Sequence, residues 1–365
     1  MQRIESLDWQ RGLLAVSIMV YHLTGWHHHH PDASEVLGRL GVYGVSMFFV
    51  LSGLSMALVY SNFIRDGRSS IAFFVRRIFR IWPLLWLAIA VVTVGDVLVR
   101  HNDVNWGLVF LNVTTLFGFV SPNSYINTGA WSIGNEMVYY ALTPALIWTY
   151  NKQLCLGNAV LAVATAIGAY FAFYAMSADD TLAMQWNLYI NPFNNLFLYC
   201  AGIAIYYNSC ARTHGKLIAP VAFAVAAVIF CFYPVDGDLV NVVTGTNRIV
   251  FCVASLLLVI AFYNLTIELP GRLSRALSML GIVTYGVYLL HPVAHSVLTI
   301  LPANLGIALS SFQIAILTAV GTIGASLISF RLIEEPLIRI GKRLTALPTG
   351  SAAGRPLVSV ELPKT

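Results

Sequence analysis

Long apolar stretches separated by short polar breaks run through almost the whole chain. They lie at Leu7 to Leu23, Val42 to Tyr60, Ile81 to Val99, Trp131 to Tyr150, Leu156 to Met176, Pro192 to Tyr207, Leu217 to Tyr233, Ile249 to Leu265, Met279 to Val297 and Phe312 to Leu332. Most are about 17 to 21 residues long, the length a helix needs to cross a hydrocarbon core of about 30 Å. The pattern predicts an all-α polytopic membrane protein with about ten transmembrane helices. Trp106 to Val120 is apolar but short and interrupted by Asn112, Thr114 and Thr115, so it is expected to be interfacial or re-entrant.

Composition agrees. The chain of 365 residues is 58% hydrophobic and only 10% charged, against about 25% charged for soluble domains. Residues 1–343 therefore read as one integral membrane domain, and 344–365, rich in Pro, Gly, Ser and Ala, as a disordered cytoplasmic tail. The net charge of +5 gathers in no compact basic domain, which argues against nucleic acid as a partner. Topology accounts for it. With the N-terminus inside and ten spans, seventeen Lys and Arg fall on the cytoplasmic side, three (Arg39, Arg100, Arg248) fall outside, and Arg11 is embedded. Both termini are thus expected in the cytoplasm, and the first span is expected to be a retained anchor. The five cysteines (155, 200, 210, 231 and 252) lack the close pairing of a metal or redox motif, and disulfides are not expected.

Ionisable groups inside apolar spans are costly and mark function by default. The first span carries Asp8, Arg11 and His22. Asp8 and Arg11 can also be read as helix-end residues snorkelling to the interface. Counting residues up the spans puts His22 and Glu136 each about 8 Å below the outer edge and His291 about 12 Å below it, one proton-handling layer shared by three helices. A second layer lies near the cytoplasm. Arg11 is about 6 Å deep, and Arg76, Arg77 and Arg80 stand at the mouth of the third span. Arg77 and Arg80, at i and i+3, can clamp one polyanion, although arginines there also satisfy the positive-inside rule. An anion-binding inner mouth and an imidazole half a bilayer away suit acyl transfer. His22 could take the proton of an attacking hydroxyl while Glu136 orients the imidazole or holds the acceptor. The same groups suit a proton-coupled secondary transporter, but no pair of broken helices in repeated halves is found.

Six motifs in order then carry a resemblance. They are RIESLDWQRGLLAVSIMVYHL with Arg11 and His22, FFVLSGLSMAL at Phe48 to Leu58, RRIFRIWPLLWL from Arg76, WSIGNEMVYY from Trp131, YGVYLLHP from Tyr285, and IEEP at Ile333 to Pro336. The chain resembles the family-3 membrane acyltransferases of bacteria from Ile4 to Arg343. The resemblance implies a multi-pass protein of the bacterial inner membrane that moves an acyl group, usually acetyl from cytoplasmic acetyl-CoA, to a hydroxyl of a surface carbohydrate or other glycosylated molecule. It implies His22 as the catalytic histidine, Glu136 as a second essential residue, and Arg11, Arg77 and Arg80 in donor binding, with Arg76 beside them. Gln10 departs from the apolar residue the family often has there. Some members also carry a fused extracytoplasmic hydrolase-like domain; none is expected here, so transfer is expected to finish within the membrane domain or to hand over to a separate partner.

The remaining polar residues have two readings each. His27 to His30 read as a solvated loop rather than a metal site, and no metal is expected. Tyr285 and Tyr288 either lend hydroxyls to an acceptor sugar or pack. His291, before Pro292, either acts in catalysis or caps freed backbone carbonyls. Ser132 reads first as a helix N-cap, which favours direct transfer over a seryl intermediate. Asp8, Trp131 and Tyr139 are supporting candidates.

Overall fold

The computed structural model describes residues 4–209 and 217–346, and every regular element among them is helical. The helices are α1 (Glu5–His27), α2 (Val36–Tyr60), α3 (Gly67–Arg100), α4 (Trp106–Val113), α5 (Phe117–Val120), α6 (Ala130–Lys152), α7 (Leu154–Tyr170) and α8 (Trp186–Tyr189). They continue with α9 (Pro192–Asn208), α10 (Ile218–Phe232), α11 (Val240–Val243), α12 (Gly245–Asn264), α13 (Gly271–Ile282), α14 (Thr284–Asn304), α15 (Ser311–Ser329) and α16 (Glu335–Leu344). Two π-helical turns, Phe171–Ala175 and Phe330–Glu334, extend α7 and join α15 to α16.

Each of the ten apolar stretches coincides with helix. Six helical segments are long and apolar enough to cross a membrane: Val36–Tyr60, Gly67–Arg100, Leu154–Ala175, Gly245–Asn264, Thr284–Asn304 and Ser311–Leu344. The other four stretches correspond to α1 and α6, of 23 residues each, and to the shorter α9 and α10. Large apolar side chains such as Val20, Leu98, Val163, Val221 and Val320 point outward, as a lipid-facing surface requires. The segment 106–120 forms two short helices; at eight residues α4 is about 12 Å long and does not span alone.

Helix α2 is the post around which the rest is packed. A Cβ on Gly53 would lie 2.0 Å from the Tyr199 carbonyl oxygen, and one on Gly202 would lie 2.0 Å from that of Val50, so α2 and α9 touch backbone to backbone. Along α1 the fit is similar. Gly41 abuts the Tyr21 ring, and on the opposite flank Gly281 of α13 abuts the Asp8 carbonyl.

Several boundaries differ from those expected. The stretch Met279 to Val297 is not one helix: α13 ends at Ile282 and α14 starts at Thr284, so His291 sits seven residues into its helix rather than twelve. Helix α3 begins fourteen residues before Ile81, because Asp66 caps it by accepting from the Ser69 N–H at 2.7 Å while the Ser69 side chain reaches back. Arg39 and Arg248 are not loop charges; they are 3% and 5% exposed. Arg39 donates to the carbonyls of Ala33, Phe230, Tyr233 and Val235, satisfying the C-terminal end of α10. Leu344 closes α16, and the next residue, Thr345, is buried and accepts from Arg76. The expectation of disorder over 347–365, and the placements of Arg3, Cys210, Arg212, Lys216, Arg355 and Lys364, lie outside the described residues.

Candidate active site

His22 lies five residues from the end of α1, turned into the protein rather than toward lipid. Its ring stacks on Trp26 of the next turn (5.3 Å between centroids) and on His291 of α14 (5.2 Å). Among the described residues it makes no hydrogen bond, so its acceptor nitrogen is uncommitted. His291 is 1% exposed. Its Nδ1 lies 3.0 Å from the Val287 carbonyl, which can only accept, so Nδ1 carries the proton and Nε2 the lone pair; Nε2 has no partner. His291 thus anchors one nitrogen on the backbone carbonyl one turn below it, which is not the Tyr288 carbonyl that Pro292 frees, and its ring stands beside that of His22. Further out, Trp26 stacks on His295 at 4.1 Å, and His295 Nε2 lies 3.1 Å from His27 Nε2.

Glu136 stands on a different level. The reason is that α6 starts inside the protein: Ala130 and Trp131 are buried, Gly129 turns the chain with φ +85°, and Asn127 donates to the Leu289 carbonyl. From His291 down one turn of α14 to Tyr288, across its hydrogen bond to Ser132, and down four residues to Glu136 is a descent of about 10 Å. Counting along α2 from Gly41, beside Tyr21, to Ser52, which holds Glu136, gives about 16 Å. Glu136 therefore lies 10 to 16 Å below His22 by these counts rather than beside it, and among the described residues no hydrogen bond joins the two. Its Oε1 accepts from Ser52 Oγ at 2.5 Å and from the Tyr140 hydroxyl.

The arginines separate into different settings. Arg11 pairs with Asp8 at 3.3 Å and donates to the Leu51 carbonyl, next to Ser52 on α2, and to Ser55 Oγ, about one turn below Ser52. Arg77 donates to the Tyr60 hydroxyl at 2.8 Å and lies over the Tyr140 ring, so Arg77, Tyr140, Glu136, Ser52, Ser55 and Arg11 form one polar belt around α2. Arg76 is tied elsewhere, to Thr345 Oγ1 at 2.8 Å and over the Phe63 ring. Arg80 is half-buried and makes no hydrogen bond among the described residues. Because α3 is continuous helix here, Arg77 and Arg80 do share a face as expected.

The supporting candidates are mostly structural in their contacts. Tyr139 donates to the Pro192 carbonyl at 2.7 Å, Tyr285 to that of Ile81 at 2.8 Å, and Tyr288 to that of Gly129 at 3.0 Å. Trp131 packs against Phe49, Trp186 and Tyr189. Ser132 is not the N-cap of α6; that place belongs to Gly129, to whose carbonyl Ser132 donates. Ser52, Ser55 and Tyr140 of the belt, and Tyr60 that anchors Arg77 to it, are not evident as site residues from the sequence. The Ser-x-x-Ser spacing within FFVLSGLSMAL, two hydroxyls on one face of an apolar helix, was the available signal. Among the described residues no cluster of three or more His, Cys, Asp or Glu could hold a metal.

The profile described as an acyltransferase domain, acyltransferase 3, matches residues 4–331. The chain is 23% identical to the peptidoglycan O-acetyltransferase OatA of Listeria monocytogenes, over 93% of this chain and 56% of that protein, so it spans a little over half of that relative's length. It is 26% identical to the exopolysaccharide production protein ExoZ of Rhizobium meliloti, over 88% of this chain and 98% of that protein. Nodulation protein 10 of Rhizobium leguminosarum is 23% identical, over 93% and 95%. No solved structure matches. A transporter is set aside by these matches, and the chain belongs to the acyltransferase 3 family of transferase enzymes.

Proposed function

We propose that the protein is an O-acetyltransferase of the bacterial inner membrane that moves an acetyl group from cytoplasmic acetyl-CoA to a hydroxyl of a cell-surface polysaccharide, lipid-linked glycan or glycosylated small molecule. In this proposal ten helices cross the bilayer with both termini inside, and 106–120 dips into it without crossing. Arg11, Arg77 and Arg80 bind the donor's phosphates, and the pantetheine arm extends up the bundle past Glu136. His22 accepts the hydroxyl proton as the oxygen attacks the thioester carbonyl. The new C–O bond forms, the C–S bond breaks, and the thiolate leaves and is protonated. His291, stacked on His22, helps to hold the imidazole in place.

The observation that carries this is the open acceptor nitrogen of His22, set eleven residues (about 16 Å) above Arg11 on the same helix. A base above and a cation below, on one rigid element, match a long donor that enters from one side and an acceptor that enters from the other. Purified protein supplied with labelled acetyl-CoA should bind it and release label to glycan or slowly to water. Mass spectrometry of surface glycans should show acetyl esters that disappear with the gene. No coenzyme A binding and unchanged glycans would end the proposal.

A further inference from the structure

The IEEP motif at Ile333 to Pro336 has no part in the chemistry above, yet it holds a conspicuous buried carboxyl group. Glu334 closes the π-helical turn that joins α15 to α16, is 1% exposed, and has no hydrogen-bond partner for either carboxylate oxygen. Leaving a buried carboxylate without donors is unfavourable, and π-helical turns recur at functional sites. The cation whose field reaches it is Arg80 across the α3 interface, and Tyr285 of α14 lies within the same field. Glu334 and Arg80 are nevertheless not joined by an ion pair within 4.0 Å. Tyr285 cannot serve as a donor, because its hydroxyl is committed to the Ile81 carbonyl.

That separation discriminates between roles. A carboxylate that fixed the orientation of Arg80 would hold it by paired N–H···O bonds. One that stabilised the fold would have donors of its own. A carboxylate held back from the guanidinium instead offsets its charge while leaving its N–H groups open to a ligand. We propose that Glu334 is a counter-charge that weakens the grip of Arg80 on the donor's phosphates, so that spent coenzyme A leaves after transfer. This role rests on Arg80 belonging to the donor site proposed above. Donor and spent carrier share the same phosphates, so stronger binding there holds both equally, lowering KM without speeding the chemical step and slowing release.

The test is Glu334→Gln, which keeps the shape and removes the charge, in protein reconstituted in nanodiscs. Coenzyme A alone is the binding probe, and acetyl-CoA turnover is measured alongside. One neighbouring but unpaired charge, acting through an effective dielectric of about 20, corresponds to about a tenfold change in affinity. The dissociation constant for coenzyme A should fall about tenfold, KM for acetyl-CoA should fall with it, and kcat should drop as release slows. The melting temperature should rise, because an unpaired buried charge is gone. In an Arg80→Ala background the tightening should vanish. Unchanged or weaker coenzyme A binding, tightening that survives loss of Arg80, or a variant too unstable to purify would each overturn the role. If the unaltered protein binds no coenzyme A, the donor site itself fails and the role falls with it; binding without tightening refutes the counter-charge alone.

Discussion

Tyr140→Phe tests whether the polar belt around α2 holds Glu136 in its working position. The change removes one hydroxyl and keeps the ring that packs on Phe73 and lies beneath Arg77. Glu136 loses one of two donors to the same oxygen and keeps Ser52 at 2.5 Å. A hydrogen bond to a charged group contributes about 1.5 to 3 kcal/mol, and with Ser52 still in place the lower figure applies, which is about tenfold in rate. Initial rates with labelled acetyl-CoA at saturating acceptor should show kcat/KM for the donor reduced about tenfold, with the acceptor KM unchanged. Ser52→Ala should behave alike. The double variant should approach Glu136→Gln rather than multiply the two effects, because both donors act through one carboxylate. If Tyr140→Phe stays within about twofold of the parent while Glu136→Gln is inactive, the belt does not position Glu136 and the reasoning fails.

Four further outcomes are expected. His22→Ala should fold normally and lose transfer by about 10²- to 10⁴-fold, read as label incorporated into glycan by protein of unchanged elution volume. Arg80→Ala should raise the donor KM, whereas Arg76→Ala should cost less because that side chain is occupied by Thr345; side-by-side donor titrations decide. Gly53→Ala places a methyl group 2.0 Å from the Tyr199 carbonyl oxygen and should cost about 1 to 3 kcal/mol, seen as a lower melting temperature in detergent. Hydrogen bonds from Ser69 hold the Asp66 carboxyl below the usual range, so its cap on α3 is intact above about pH 4 and is lost as pH falls through the lowered value. Asp66→Asn should flatten that acid-side loss in a pH series of thermal melts.

How much the sequence revealed depended on whether the signal was local. Apolar runs located every long helix, since each must cover its own backbone polar groups in lipid. His22 and Arg11 were placed correctly relative to each other because they share one helix, whose rise per residue is fixed. Glu136 was misplaced by 10 Å or more because its height depends on where α6 begins. That start is set by Asn127, Gly129 and Tyr288, a tertiary junction that no run of apolar residues signals. Arg39 and Arg248 misled for a related reason: charge alone suggests a loop, while burial is decided by distant carbonyls such as those of Phe230 and Asn194. The role of Glu334 is not legible within its IEEP motif, because its meaning lies in the partners it lacks.

One turn of α2 faces two ways. Gly53 locks it against the backbone of α9, while Ser52 and Ser55 on its other flank reach Glu136 and Arg11. A helix clamped on one side cannot roll or slide to admit a bulky guest without breaking the polar contacts on the other. Room for substrates must come from other helices, and the break at Val283 between α13 and α14, two residues from Tyr285 and about two turns from His291, is where helical continuity is interrupted beside the site.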